Sequence, residues 1–198
     1  MNKNLMILGI AGLMLALVTG CEGDMWGLMP PQVLTEDFET EWLTGADVPE
    51  DPNCPGRTVD WAVEFSDERA NGGKYSAMFF LDGRQDDGTI WLTRSFSAPS
   101  PGARYEVTIA FDLWSESASD NTIAKVAFYG GGQRPQQEAD FDTSQAANQA
   151  AGWRRYTSVQ QVTAGADSRF WIAFGISAVW ETEMTYFIDN LTVTFRSQ

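Results

Sequence analysis

From residue 59 to the C-terminus the chain is a succession of short runs rich in β-branched and aromatic residues, each closed by Gly, Pro, Ser, Asp or Asn. That recurrence constrains the fold most, because runs of this length with a period of two build strands and not helices. The runs predict strands at 59–65 (VDWAVEF), 75–82 (YSAMFFLD), 89–96 (TIWLTRSF), 104–114 (RYEVTIAFDLW), 122–130 (TIAKVAFYG), 153–162 (WRRYTSVQQV), 169–177 (RFWIAFGIS) and 185–195 (TYFIDNLTVTF), with another beginning near Val33. No segment carries an apolar helical period. DTSQAANQAAG at 142–152 tolerates a helix but has no apolar face, and Thr44 to Thr58 is rich in Pro, Asp and Gly and reads as a long loop. The chain is expected to be all-β, a two-sheet antiparallel β-sandwich (jelly roll) of about nine strands.

Two strands alternate cleanly enough to assign faces. Tyr105, Val107, Ile109, Phe111 and Leu113 point one way; Glu106, Thr108, Ala110, Asp112 and Trp114 point the other. Likewise Phe170, Ile172, Phe174 and Ile176 oppose Trp171, Ala173, Gly175 and Ser177. The apolar sets predict the core between the sheets. The opposite sets each join a tryptophan to small neighbours, which predicts a flat aromatic platform on an outer face.

Residues 187–195, FIDNLTVTF, set a puzzle: in an unbroken strand Phe187, Asp189, Leu191, Val193 and Phe195 share one face. Burying an unpaired carboxylate is costly, so Asp189 needs a partner. A cation satisfies that need, and so do backbone amides of the first strand or of a turn.

The N-terminus bounds where such a protein works. Lys3 precedes an apolar run of fourteen residues, Leu5 to Val18, which ends in Val-Thr-Gly-Cys. The run is short of the roughly 20 residues that span a bilayer and reads as a signal peptide. Its end resembles the bacterial lipobox, which implies acylation of Cys21 and a membrane-held protein. The chain therefore divides into a lipoprotein signal peptide (1–20), an acylated Cys with a tether (21–32) and a β-sandwich domain (33–198). Glu22 after the cysteine favours an outer-membrane destination in the cell envelope. Only Cys54 then remains, in VPEDPNCPGR, and a single thiol makes no intramolecular disulfide; its loop composition predicts a solvent-facing free thiol. The sandwich must hold by its core, for which 43% hydrophobic residues, with eight Trp and twelve Phe, suffice.

A formal charge of −14 argues against nucleic acid and anionic lipid as partners, since binding either draws on a basic footprint. The chain has no histidine, which removes Ser-His, Cys-His and His-metal chemistry. Glu39 with Glu41 and Glu181 with Glu183 are the carboxylate pairs that glycoside hydrolysis would need. Neither shows the spacing of the laminarinase-like sandwich hydrolases, and no enzyme is expected.

DFETEW, GKYSAMFFLDG, RYEVTIAFDLW, GWRRYTS and YFIDNLTVTF, in that order over residues 33–198, together resemble the jelly-roll carbohydrate-binding modules of the galactose-binding-like superfamily. The resemblance implies a structural Ca²⁺ held by Asp37, Glu39, the backbone carbonyls of Gly73 and Lys74, and Asp189. It also implies a glycan or polysaccharide ligand stacked on aromatic rings, whose weakly negative faces match the C–H face of a pyranose. The candidate ligand-binding residues are Trp91, Asp112, Trp114, Tyr129 and Trp171, with Gln133 as a neighbour and Trp180 as a loop alternative; Trp42 and Trp61 read as rim packing. The expectation is a non-catalytic, lipid-anchored glycan binder. Its rival is a surface scaffold or adhesion domain of the same fold that meets a protein partner and has no sugar site. A sugar site predicts tryptophan on a concave, polar-rimmed face, and a scaffold predicts a flatter apolar patch.

Overall fold

The computed structural model describes residues 31–36, 38, 42–51, 53–82, 88–116, 124–147, 151–178 and 183–198. Among them are the strands β1 (Gln32–Glu36), β2 (Leu43–Asp47), β3 (Trp61–Ser66), β4 (Ser76–Leu81), β5 (Gly88–Ser97), β6 (Arg104–Ser115), β7 (Ala124–Gly131), β8 (Asp142–Ala146), β9 (Gly152–Thr163), β10 (Arg169–Ala178) and β11 (Met184–Ser197). Among the described residues the one regular exception is a 3₁₀ turn at Glu138–Asp140. No helix among the described residues is long and apolar enough to cross a membrane.

The pairings are nested and antiparallel: β7 with β8, β6 with β9, β5 with β10 and β4 with β11. Rolling such a ladder drops alternate pairs into opposite sheets. The result is β4-β11-β6-β9 facing β5-β10-β7-β8, which is jelly-roll order. β3 extends the first sheet beside β4, and β2 extends the second beside β5. β1 takes the half of β11 that β4 leaves, pairing Gln32–Glu36 with Leu191–Phe195.

The all-β sandwich expected from the sequence is the observed fold, with two more strands than expected. β2 lies in the stretch read as a loop, and β8 in the polar stretch read as helix-tolerant. Both are short and run along one neighbour, β5 or β7, so the ladder supplies what local propensity lacks.

The predicted inward residues of β6 and β10 form the core with Phe79, Leu81, Ile90, Leu92, Val126 and Phe128. Phe174 is its centre, with ring centroids 5.1 Å from Trp42, 5.4 Å from Phe111, 6.1 Å from Phe38 and 6.4 Å from Phe79. Full burial of each such ring contributes roughly 1.5–3 kcal/mol, which offsets the missing disulfide. Trp42 packs inside this core, deeper than the rim expected for it, while Trp61 stays on the rim and is 39% exposed. Cys54 is free and exposed, as its loop composition predicts.

Candidate functional site

The puzzle of Asp189 is resolved by a bulge. β11 pairs with β6 as Phe187↔Trp114, Ile188↔Leu113 and Asp189↔Asp112, and resumes at Thr192↔Ala110. One residue is extra on β11, and Asn190 takes it up in the left-handed region at φ 52°. The parity of the strand changes there. Ile188, Leu191 and Val193 face the core, whereas Phe187 and Asp189 lie on the outer face beside Trp114 and Asp112. The shared face read from FIDNLTVTF is thereby corrected.

On that outer face Asp189 is nonetheless only 1% exposed, because the connection between β3 and β4 folds over it. Asp189 Oδ2 accepts the backbone N–H of Asn71 at 2.6 Å and of Gly72 at 2.9 Å, and Oδ1 accepts that of Asn190 at 2.6 Å. Asp112 completes the tie: its Oδ2 accepts Asn71 Nδ2 and Asn190 Nδ2, each at 2.8 Å. Its Oδ1 lies 3.3 Å from Arg155 Nη1, which also donates to the Asn190 carbonyl at 2.8 Å. Gly72 is needed where the loop crosses the bulge, since a Cβ there would sit 2.7 Å from Asn190 Oδ1. Asp112, expected to take sugar hydroxyls, is therefore engaged in holding the loop.

The described members of the implied calcium set do not fit a cation. The loop turns two N–H donors toward Asp189, and with the Asn190 amide they engage both of its oxygens. Gly73 and Lys74 are exposed. The Lys74 ammonium donates to the Tyr75 hydroxyl at 2.8 Å, which raises its pKa. No cluster of three potential metal-ligating side chains occurs among the described residues. Asp37 and Glu39 lie outside the described residues, as do Cys21, Glu41, Trp180 and Glu181; Glu183 is described and exposed.

The tied loop carries Arg69 onto Trp114, with the guanidinium 3.8 Å from the ring centroid. Trp114 meets Phe187 edge-on, with centroids 5.7 Å apart. Between this wall and the strands opens a cleft of about 360 Å³, lined by Ala62, Met78, Phe80, Thr185 and Phe187 with Glu68, Arg69 and Glu116. Met78 and Phe80 reach it because they alternate with the core residues Ala77, Phe79 and Leu81. A continuous apolar run such as AMFFL signals a strand covered on both faces, and it was the available clue to these residues. Nothing in the loop sequence marks Glu68 or Arg69.

The other three aromatic candidates lie on the outer face of the opposite sheet, away from Trp114. Trp91 is not a platform: it is 2% exposed, packed with Ala127, Ala173 and Phe141, whose ring centroid lies 4.9 Å away. The cover comes from the segment after β7, which is strapped to the sheet. Arg134 donates to the Thr44 carbonyl, the Glu138 amide donates to Asp47, and Thr89 Oγ1 donates to Glu138. Tyr129 packs on Phe141 and donates its hydroxyl to the Gln133 carbonyl at 2.7 Å. Burial, reinforced by Asp140, raises its pKa. Trp171 lies beyond the strap between Ser95 and Gly131, and with Leu43 and Arg94 it lines a groove of about 400 Å³.

No protein-family model matches the chain, and a comparison with curated proteins finds no match. Among solved structures the chain is similar to the enzymatically active domain of bacteriophage CBA120 tailspike protein 4, at 13% identity and a TM-score of 0.47, covering 79% of this chain and 19% of that one. It is also similar to the K3 cleaved adhesin domain of Lys-gingipain from Porphyromonas gingivalis W83, at 16% identity and a TM-score of 0.44, covering 83% and 99%. A third is the CBM22-1 xylan-binding domain of Paenibacillus barcinonensis Xyn10C, at 14% identity and a TM-score of 0.41, covering 79% and 94%. The chain thus spans about a fifth of the tailspike and nearly all of the other two. Several such neighbours are carbohydrate-binding modules of the β-sandwich kind. The likeness is one of fold, and no residue role transfers from it.

Replacing Asp189 by Asn sets an amide against backbone donors and removes the charge they solvate. Denaturant melts of Asp189→Asn are expected to lose roughly 2–4 kcal/mol. The parent midpoint is expected to be the same in calcium and in chelator; a lower midpoint in chelator would return a cation to Asp189.

Proposed function

We propose that this chain is a non-catalytic, lipid-anchored protein of the cell envelope whose sandwich binds a glycan in the cleft beside Trp114. The observation that carries the reading is the cleft itself, an aromatic wall with charged donors and acceptors at its rim. A pyranose set there meets Phe80 and Met78 with its apolar C–H face over the buried Phe187, and the Trp114–Arg69 pair stands as the wall. Thr185, Glu68, Arg69 and Glu116 are then available to its hydroxyls. The Trp171 groove ranks second, because exposed Leu43 is a less suitable neighbour for a sugar than a charged rim. Lipidation at Cys21 is supported by the sequence of residues 1–21, and an outer-membrane destination by Glu22. Calcium has no place in this reading beyond what Asp37 and Glu39 would contribute.

The scaffold reading rests on a different place, the edge strand β3, where Trp61 and Phe65 are 39% and 44% exposed. An edge strand with exposed aromatics suits a protein partner. The cleft's polar rim favours the glycan.

Trp114→Ala is expected to weaken binding to a retained polysaccharide roughly tenfold or more, the loss of about 1.4 kcal/mol, with far-UV circular dichroism and melting cooperativity preserved. Undiminished retardation of this variant in affinity electrophoresis would move the site away from the cleft. Metabolic labelling with a fatty acid is expected to mark the parent chain and not Cys21→Ser; equal labelling of both would defeat the anchor.

A further inference from the structure

The charged residues of the cleft are unequal in number and differently engaged. Among the described residues that line it, Glu68 and Glu116 present two carboxylates and Arg69 is the single cation. Its guanidinium carbon lies over the Trp114 ring, 3.8 Å from the centroid, and has no ion-pair partner among the described residues. This cation–π contact restrains the guanidinium, so less freedom is lost when its N–H groups bind. Accepting and donating groups thus stand at one rim, and a hydroxyl is the group that answers both, since it donates to a carboxylate and accepts from a guanidinium.

We infer that Glu68 and Glu116 select neutral glycans and reject uronic-acid polymers, with Arg69 as the donor to sugar hydroxyls. This rests on the glycan reading of the cleft. A sugar carboxylate placed here gains one guanidinium and faces the two carboxylates that line the same cleft. The formal charge of −14 on the whole chain adds to that exclusion at a distance, although salt screens it beyond about 8–10 Å. Selection by an unfavourable contact is as effective as selection by a favourable one.

The test compares the full chain with Glu68→Gln/Glu116→Gln against neutral xylan, mannan and galactan and against alginate and polygalacturonate, by affinity electrophoresis at low and at high salt. The parent is expected to bind its best neutral polymer at least tenfold more tightly than either uronate polymer at low salt. In the double variant that gap is expected to narrow at least fivefold, chiefly through tighter uronate binding, and added salt should narrow it in the parent. Arg69→Ala is expected to weaken neutral binding. Uronate binding by the parent equal to or tighter than neutral binding would overturn the inference, as would an unchanged gap in the double variant, and both leave the glycan reading standing. Retardation by no polymer, with the fold intact, would remove the glycan reading and this inference with it.

Discussion

One carboxylate organises the outer face of the first sheet. Asp189 is almost fully removed from water, and three backbone N–H groups converge on it, two from the loop joining β3 to β4 and one from its own bulge. Charge-assisted hydrogen bonds of this kind are worth about 1.5–3 kcal/mol each, well above neutral ones. They give a Gly-rich loop, otherwise expensive to order, one conformation. Asp112 repeats the device one strand away with the side-chain amides of Asn71 and Asn190 and the guanidinium of Arg155. Two acidic residues directly opposite each other on adjacent strands would repel. Each is instead surrounded by its own donors, and the pair becomes the anchor of the loop.

The loop side of the cleft follows from that anchor. The same loop carries Glu68 and Arg69, so fixing Asn71 and Gly72 fixes where the guanidinium lands, on Trp114. The opposite sheet has been treated differently. There the excursion after β7 lies across the face and seals Trp91 under Phe141, leaving the indole Nε1 without a hydrogen-bond partner among the described residues. A loop that is tied at its edge leaves a cleft beneath it. A loop that lies flat makes a second small core.

How far the sequence could be read follows from the range of each interaction. Alternation in RYEVTIAFDLW and RFWIAFGIS is a local property, and it identified the inward sets of β6 and β10 without error. The bulge at Asn190 escaped because a single left-handed residue leaves the surrounding strand pattern intact, so the parity before it, at Phe187 and Asp189, is misassigned when the strand is read back from Leu191 and Val193. Of the two partners weighed for Asp189, amides from a turn are the ones described here. Their source is 117 and 118 residues away in the chain, a distance at which local pattern carries no information. Trp91 and Trp171 stand in equivalent outward positions, and only the strap carrying Phe141 separates a core residue from a groove residue. Trp114 was legible as outward-facing, whereas its partner Arg69 was not, since its placement depends on Asp189.

The central claim, that Asp189 fixes the loop through backbone amides, is tested most directly by amide hydrogen exchange at Asn71, Gly72 and Asn190, resolved by NMR. Asn71 and Gly72 belong to exposed residues, so ordinary loop amides there would exchange within the fast phase. The account predicts protection of all three approaching that of the β6–β11 ladder. Fast exchange at Asn71 and Gly72 alongside a protected ladder would contradict it, and the loop, Arg69 and the cleft would lose their common anchor.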